Sequence, residues 1–476
     1  MYGPYLNGLM NGIFTIIKYG VHSSHGGLFH QSCSRHYVDP GDYQCSKGFL
    51  QYTPTETTSD KIVDELAMLM TSGRLSAESR QVAMDVYDNE KYKKQAVMMV
   101  QQIIASSPEF QTTAMTKVGT ETRSLPEMPT QSTEPYKAVV FLFLPGGMDS
   151  YNMLVPTCDP LKTSYLQKRQ SVALYDADLL PITATNQTCN EFGVHKQFSN
   201  LVSEYNNGNV LFFANVGTIT EFMTRNDVWK EKCILYAHNR MTEETQRLDP
   251  FDNAPSLGII GRLTDALSQL TGATSGKPYQ IGSFSINGIT TALAGSKGKS
   301  PNQMIIGKYG PTKFDPYPWS ERSKWSNFDL RTPIYNVNKL PVVESNVFGS
   351  TWSSTFLDIV EENDLLDDLF SSARVINDFE ETDLSLQLMQ VAKLIDIKDQ
   401  RGVDRDFFYV SMGGWDSHRE MLFNTDILFS TLDKAVKTFW NEVKARGLDN
   451  NVVLVHLSEF GRSLSPNGGG GTDHGK

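Results

Sequence analysis

Residues 139–150 read VVFLFLPGGMDS and residues 406–417 read DFFYVSMGGWDS. Twice, an apolar run enters Gly-Gly, one large residue, Asp and Ser. The runs Ala138–Leu144, Val210–Val216, Asp406–Ser411 and Asn451–Leu457 are too uniformly apolar for strands with one wet face. They predict the central strands of a mostly parallel sheet covered by helices on both faces. An amphipathic pattern over Leu428–Arg446 lies between the last two runs and predicts a crossover helix. Two glycines at a strand's C-terminal end permit a tight turn, and that edge is where open α/β sheets place ligands.

A third run, NVVLVHLSEFGRS from Asn451, carries Glu459 toward the equivalent edge. Three strands therefore aim carboxylates, Asp149, Asp416 and Glu459, at what could be one crevice. His418 follows Asp416 by two residues. The Gly-rich stretch Asn467–His474 follows Glu459 closely enough to fold back over the edge. Oxygen and imidazole ligands without cysteine suit zinc, manganese, magnesium or calcium. The plain alternatives are helix caps for Asp149 and Asp416, an ion pair for Glu459 with Arg462, a loose tail for the glycine run, and a satisfied core histidine for His456.

Upstream the period is helical. Ile62, Leu66 and Leu69 recur at helical spacing, Gly73 ends that helix and Ser76 caps a second. A third carries Ala96, Met99, Val100, Ile103 and Ile104 and ends at Ser106-Ser107-Pro108. Residues 112–135, with three prolines from Pro126 to Pro135, read as a mobile linker between a helical segment, residues 1–111, and an α/β domain, residues 136–476. Residues 1–50, rich in Gly, His and Tyr, show no clear period and are expected to pack poorly.

The chain has 476 residues, 39% hydrophobic and 11% aromatic, which excludes a disordered protein. A formal charge of -11 excludes the basic stripe that a phosphate backbone demands, so nucleic acid is not an expected partner. No apolar run reaches the ~18 residues of a membrane span. The N-terminus lacks the basic start and small-residue cleavage site of a signal peptide. Five cysteines (Cys33, Cys45, Cys158, Cys189 and Cys233) include no C-x-x-C pair, and the single sequon Asn186-Gln-Thr188 is compatible with secretion.

Three near-motifs fail. Gly298-Lys299-Ser300 ends like a phosphate-binding P-loop, but Leu293 stands where the first glycine is needed. Cys158-Asp-Pro-Leu-Lys162 is similar to a formylglycine signature but has lysine in place of arginine and follows Asp149 too closely. No G-x-S-x-G elbow exists.

The blocks PGGMDSYNMLVP, LYAHNRMTEETQ, MGGWDSHRE and SEFGRSLSPNGGGGTDHG, spread over residues 138–476, resemble domain-of-unknown-function family 1501, sulfatase-like members of the alkaline phosphatase superfamily. The resemblance implies an alkaline-phosphatase-like sheet with a metal centre at its C-terminal edge. Asp149, Asp416, His418, Glu459 and His474 occupy the ligand positions. It further implies hydrolysis of a small anionic ester or a sulfated or phosphorylated glycan, outside the cytoplasm, with Ser150 and His238 as candidates for catalysis. Asn152, Asn239 and Arg462 are candidates for contact with the anionic group. The family often has glycine at position 150 and serine at 237, where this chain has Ser150 and Ala237. DELAMLMTSGRLS and IIASSPEFQ, within residues 55–111, resemble the end of a helical family, number 1800. Both resemblances imply chain beyond each terminus, and a stop at Lys476 is expected to leave a strand after Glu459 without its partner. A non-catalytic metal-binding module in surface assembly or carbohydrate binding, and a truncated product with no stable function, are the alternative readings.

Overall fold

The computed structural model describes residues 3–19, 52–113, 117–123, 134–218, 236–247, 257–296, 299–301, 303–311, 314, 330–343 and 347–475. The chain divides into two compact units: Met1–Glu127 with Pro311–Asp368, and Met128–Gly310 with Leu369–Lys476.

The first unit is helical. Helix α1 (Gly3–Tyr19) carries Leu6, Met10, Phe14 and Ile17 on one buried stripe. The expectation of poor packing fails for this segment, because spacings of four, four and three put those residues on a single helical face. The rest of residues 1–50 lies outside the described residues. Helices α2 (Ser59–Thr71), α3 (Ala77–Asn89) and α4 (Lys93–Ser106) follow. The Ser76 hydroxyl accepts from the Ser79 N–H and so caps α3. The helices Arg331–Asn338 and Val347–Ser372 supply Ile334, Val337, Trp352, Phe356 and Ile359 to the same core. Asn338 Nδ2 and Trp352 Nε1 both donate to the Ser106 carbonyl, an orphan acceptor at the end of α4. Residues 311–368 thus belong with the helical unit rather than with the α/β domain, and Lys117–Val118 of the expected linker pairs with Val342–Val343. A break read from proline content cannot reveal a stretch that returns some 200 residues later.

The second unit is α/β. Its central sheet has five strands: β1 (Lys137–Leu144), β2 (Ile281–Ser285), β3 (Met304–Ile305), β4 (Arg405–Ser411) and β5 (Val452–Ser458), in the order β5-β1-β4-β2-β3. Every pairing is parallel. Phe143 lies opposite Ser411 and Leu144 opposite Ser458, so the two Gly-Gly turns and Glu459 leave the sheet at one edge. A smaller antiparallel sheet joins Leu154–Pro156, Leu179–Thr183 and Glu191–His195. No described helix is long and apolar enough to cross a membrane.

The run Val210–Val216, expected as a strand, is not one. Leu211 and Phe213 are 72% and 78% exposed, because an apolar run becomes a strand only where a sheet edge pairs with it.

Helix α6 (Met421–Ala445) packs Phe429 against Trp415, Phe198 and His195. His195 is buried and accepts at Nδ1 from the Gln197 N–H. Burial holds its pKa below the usual imidazole range, against the pull of the Asp426 charge and with a smaller push from Lys196. The unfolded chain then takes up a proton near pH ~6.5 that the folded chain resists, so stability falls as pH drops through and below that value. The variant His195→Phe should lose less stability than wild type between pH 7.5 and 5.5 in denaturant titrations. Equal losses would show that this histidine carries none of the dependence.

Candidate metal centre

The large residue in each duplicated motif is a plug. Met148 and Trp415 are both buried, and Trp415 donates to the Met412 carbonyl at 2.7 Å. Gly146 has φ +109°, and a Cβ there would lie 2.7 Å from the backbone nitrogen of Asp416. Only glycine lets the two turns come this close.

The Gly-rich loop returns to the edge as expected. Arg462 bridges His474 and Arg419 bridges Gly470, while a Cβ on Gly471 would sit 2.2 Å from the His418 carbonyl carbon. This brings His474 to His418, with the two Nε2 atoms 2.9 Å apart. Each Nε2 is also 3.1 Å from Asp416 Oδ1.

The proton positions follow from the other ring nitrogens. His418 Nδ1 is 3.1 Å from Asp473 Oδ1, and His474 Nδ1 is 2.9 Å from the Tyr236 carbonyl. Both partners only accept, so each Nδ1 donates, and each ring in its neutral form turns the Nε2 lone pair toward Asp416. His238, the first residue of helix α5 (His238–Gln246), repeats the arrangement. Its Nδ1 is 2.9 Å from Glu459 Oε2 and its Nε2 is 3.6 Å from Asp416 Oδ2. Three imidazole lone pairs thus surround one carboxylate. Such a cluster repels itself unless a cation or an extra proton joins it.

Two overlapping sets of donors fit a metal. His238, Asp416 and His474 have donor atoms within 4.8 Å of one another. His418, Asp416 and His474 are tighter, at 2.9 to 3.1 Å, near the spacing of ligands that each lie ~2.0–2.2 Å from one ion. The tighter set is the better candidate, with Asp416 able to present its second oxygen toward His238. In the metal-free cluster burial pushes the Asp416 carboxyl up, but hydrogen bonds from Arg462 and from His474 when its Nε2 is protonated, with the charges of protonated His418 and of Arg462, outweigh it and hold the group below its ordinary range.

The remaining expected site residues have other partners. Glu459 is buried, with Oε2 accepting from the Gly146 N–H at 2.6 Å and Oε1 from the Thr242 hydroxyl at 2.6 Å. It orients His238 instead of joining the tight set. Asp149 is enclosed: its carboxylate meets Arg169 at 2.9 Å and the Thr472 hydroxyl at 3.3 Å, and its Oδ1 caps the Asn152 N–H. Asn152 bonds Arg169, Tyr165 and the Val172 carbonyl. Arg462 has a fully buried side chain that spends its donors on Asp416, Gly146, and the hydroxyl and carbonyl of Thr472. Neither Asn152 nor Arg462 faces solvent, so both support the site from behind. Ser150 and Asn239 are exposed. Arg169 escaped the sequence reading, because an arginine in the polar helix Leu161–Arg169 carries no mark of burial. Cys158, of the rejected formylglycine motif, forms a disulfide with Cys189.

Residues 394–476 match the family described as Protein of unknown function (DUF1501). The DUF1501 stretch contains Asp416, His418, Glu459, Arg462 and His474, and draws in His238 and Asp149 from far upstream in the chain. No curated protein and no solved structure matches the chain.

Proposed function

We propose that the second unit binds one or two divalent metal ions, zinc or manganese fitting the mixed imidazole and carboxylate donors best, and hydrolyses phosphate or sulfate esters. The observation that carries this reading is the set of three histidines whose Nδ1 protons are tied elsewhere while their Nε2 atoms face Asp416. Metal-binding histidines characteristically hand their second N–H to a carboxylate or carbonyl in this way. A bound ion would supply Lewis-acid stabilisation of charge on the ester's oxygens.

His418, His474 and Asp416 would hold the ion. Arg462 neutralises Asp416 from behind and fixes its rotamer. Glu459 holds the His238 ring so that Nε2 can take or return a proton at the edge of the site. Asn239 stands exposed at the first turn of α5, where unpaired backbone N–H groups favour an anion. Ser150 follows the Asp149 turn and is the hydroxyl candidate. The likeness of the four sequence blocks to sulfatase-like proteins supports ester hydrolysis and an extracytoplasmic setting.

A second reading, a metal-binding module without catalysis, is favoured by one observation. Asp149, expected among the ligands, is bonded to Arg169. Purified protein should contain a divalent ion and release product from an aryl phosphate or aryl sulfate. Full metal occupancy without turnover across a broad ester panel would select the binding module, and failure to bind any divalent ion would sink both readings.

A further inference from the structure

We propose that Asn186 is a site of N-linked glycosylation. The triplet Asn186-Gln187-Thr188 is the chain's single Asn-x-Ser/Thr sequence with no proline at the middle position. A triplet of this kind is common by chance, so its placement and chemistry have to carry the argument.

The triplet sits in the loop joining the antiparallel strands Leu179–Thr183 and Glu191–His195. Ala184 N–H donates to the Asn190 carbonyl at 2.9 Å and closes the loop, leaving Asn186, Gln187 and Thr188 all exposed at its tip. Asn186 adopts φ +59°, a left-handed conformation that asparagine tolerates better than most residues and that marks a turn. A large polar group there displaces no core side chain and breaks no strand pairing. A sequon within β1 or on the buried face of α6 could not carry one.

The second observation is independent of the triplet. Cys189 immediately follows it and is joined to Cys158, which lies just beyond the strand Leu154–Pro156. A disulfide of this sort forms and persists in an oxidising compartment. That is also the compartment in which asparagine side chains meet lipid-linked glycan donors. One seven-residue loop therefore carries two marks of the same compartment.

The chemistry is a group transfer from a lipid-pyrophosphate-linked oligosaccharide. A bond forms between the Asn186 side-chain nitrogen and the anomeric carbon of the sugar. The bond from that carbon to the pyrophosphate oxygen breaks, the lipid pyrophosphate leaves with the electron pair, and the amide nitrogen gives up one proton. Thr188 supplies the hydroxyl, two residues on, that the transfer requires.

The test is made on the whole chain. Protein isolated from the cells that naturally make it should lose mass on treatment with peptide-N-glycosidase, with the released peptide carrying aspartate in place of the asparagine at position 186. In a eukaryotic secretory host, with a cleavable secretion signal placed before the whole chain, Asn186→Gln and Thr188→Ala should each abolish that mass step, and Thr188→Ser should retain it. Transfer precedes completion of folding, so chains retained inside the cell report as well as secreted ones. Native protein with an unmodified Asn186 peptide, found together with an intact Cys158–Cys189 pair, would overturn the proposal.

Discussion

Asp416→Ala should release the bound metal and abolish ester turnover together, the largest functional effect expected of any single substitution in this chain. The side chain presents one oxygen to His418 and His474 and the other toward His238, so its loss removes the charge that all three rings share. Asp473→Ala provides a graded comparison. It frees the His418 Nδ1 proton without touching a donor atom, and outer partners of this type typically cost about 10- to 100-fold in metal affinity or activity. The aspartate that supplies a donor should exceed that range. Metal content by elemental analysis, with turnover of the best substrate of the panel, checks both. Wild-type metal content in the Asp416 variant would dismiss the cluster as a centre. Chelation of wild type should also lower its unfolding free energy, by about 2.7 kcal/mol if the free ion had stood at a hundred times its dissociation constant.

The largest effect on stability is expected from Asp149→Ala. Asp149 and Arg169 form an ion pair with side chains 1% and 0% exposed. Removing the acid strands a guanidinium in a closed site, which costs about 3–5 kcal/mol in comparable buried pairs. The double variant Asp149→Leu with Arg169→Met should recover much of that loss, since no charge is then left behind. Chemical denaturation measures both. Metal stoichiometry gives the companion readout: in the arrangement described, Asp149→Ala protein that remains folded still binds its ion through His418, His474 and Asp416. Loss of the ion from protein of undiminished stability would make Asp149 a ligand after all.

The contrast between Asp149 and Asp416 marks the limit of what the sequence disclosed. Both follow the same Gly-Gly-x pattern, and the sheet does bring both turns to one edge, as the paired apolar runs predict. Their different roles depend on what arrives opposite. Asp416 faces His474 from a glycine loop, and Asp149 faces Arg169 from a short helix. No periodicity or spacing encodes those meetings. Glu459 was legible as a carboxylate at the edge, but its duty toward His238 depends on a residue 221 positions earlier. The run Val210–Val216 misled because hydrophobicity is local and strand pairing is not. Helix α1 was missed for the opposite reason: Leu6, Met10 and Phe14 keep helical spacing, but glycines and polar residues between them dilute it.

The three histidine Nδ1 protons are anchored at Glu459, Asp473 and the Tyr236 carbonyl, and the lone pairs they orient converge on Asp416. These groups lie on stretches that are close in space and far apart along the chain. Closing loops of this length is slow and comes after local helices have formed. Metal uptake would therefore register a late event in folding, one that circular dichroism of the helices would not detect. During refolding of the wild-type chain, a transient species with native helix content and no capacity for the ion would be an intermediate, and its rate of gaining that capacity would time the arrival of the glycine loop over the sheet edge.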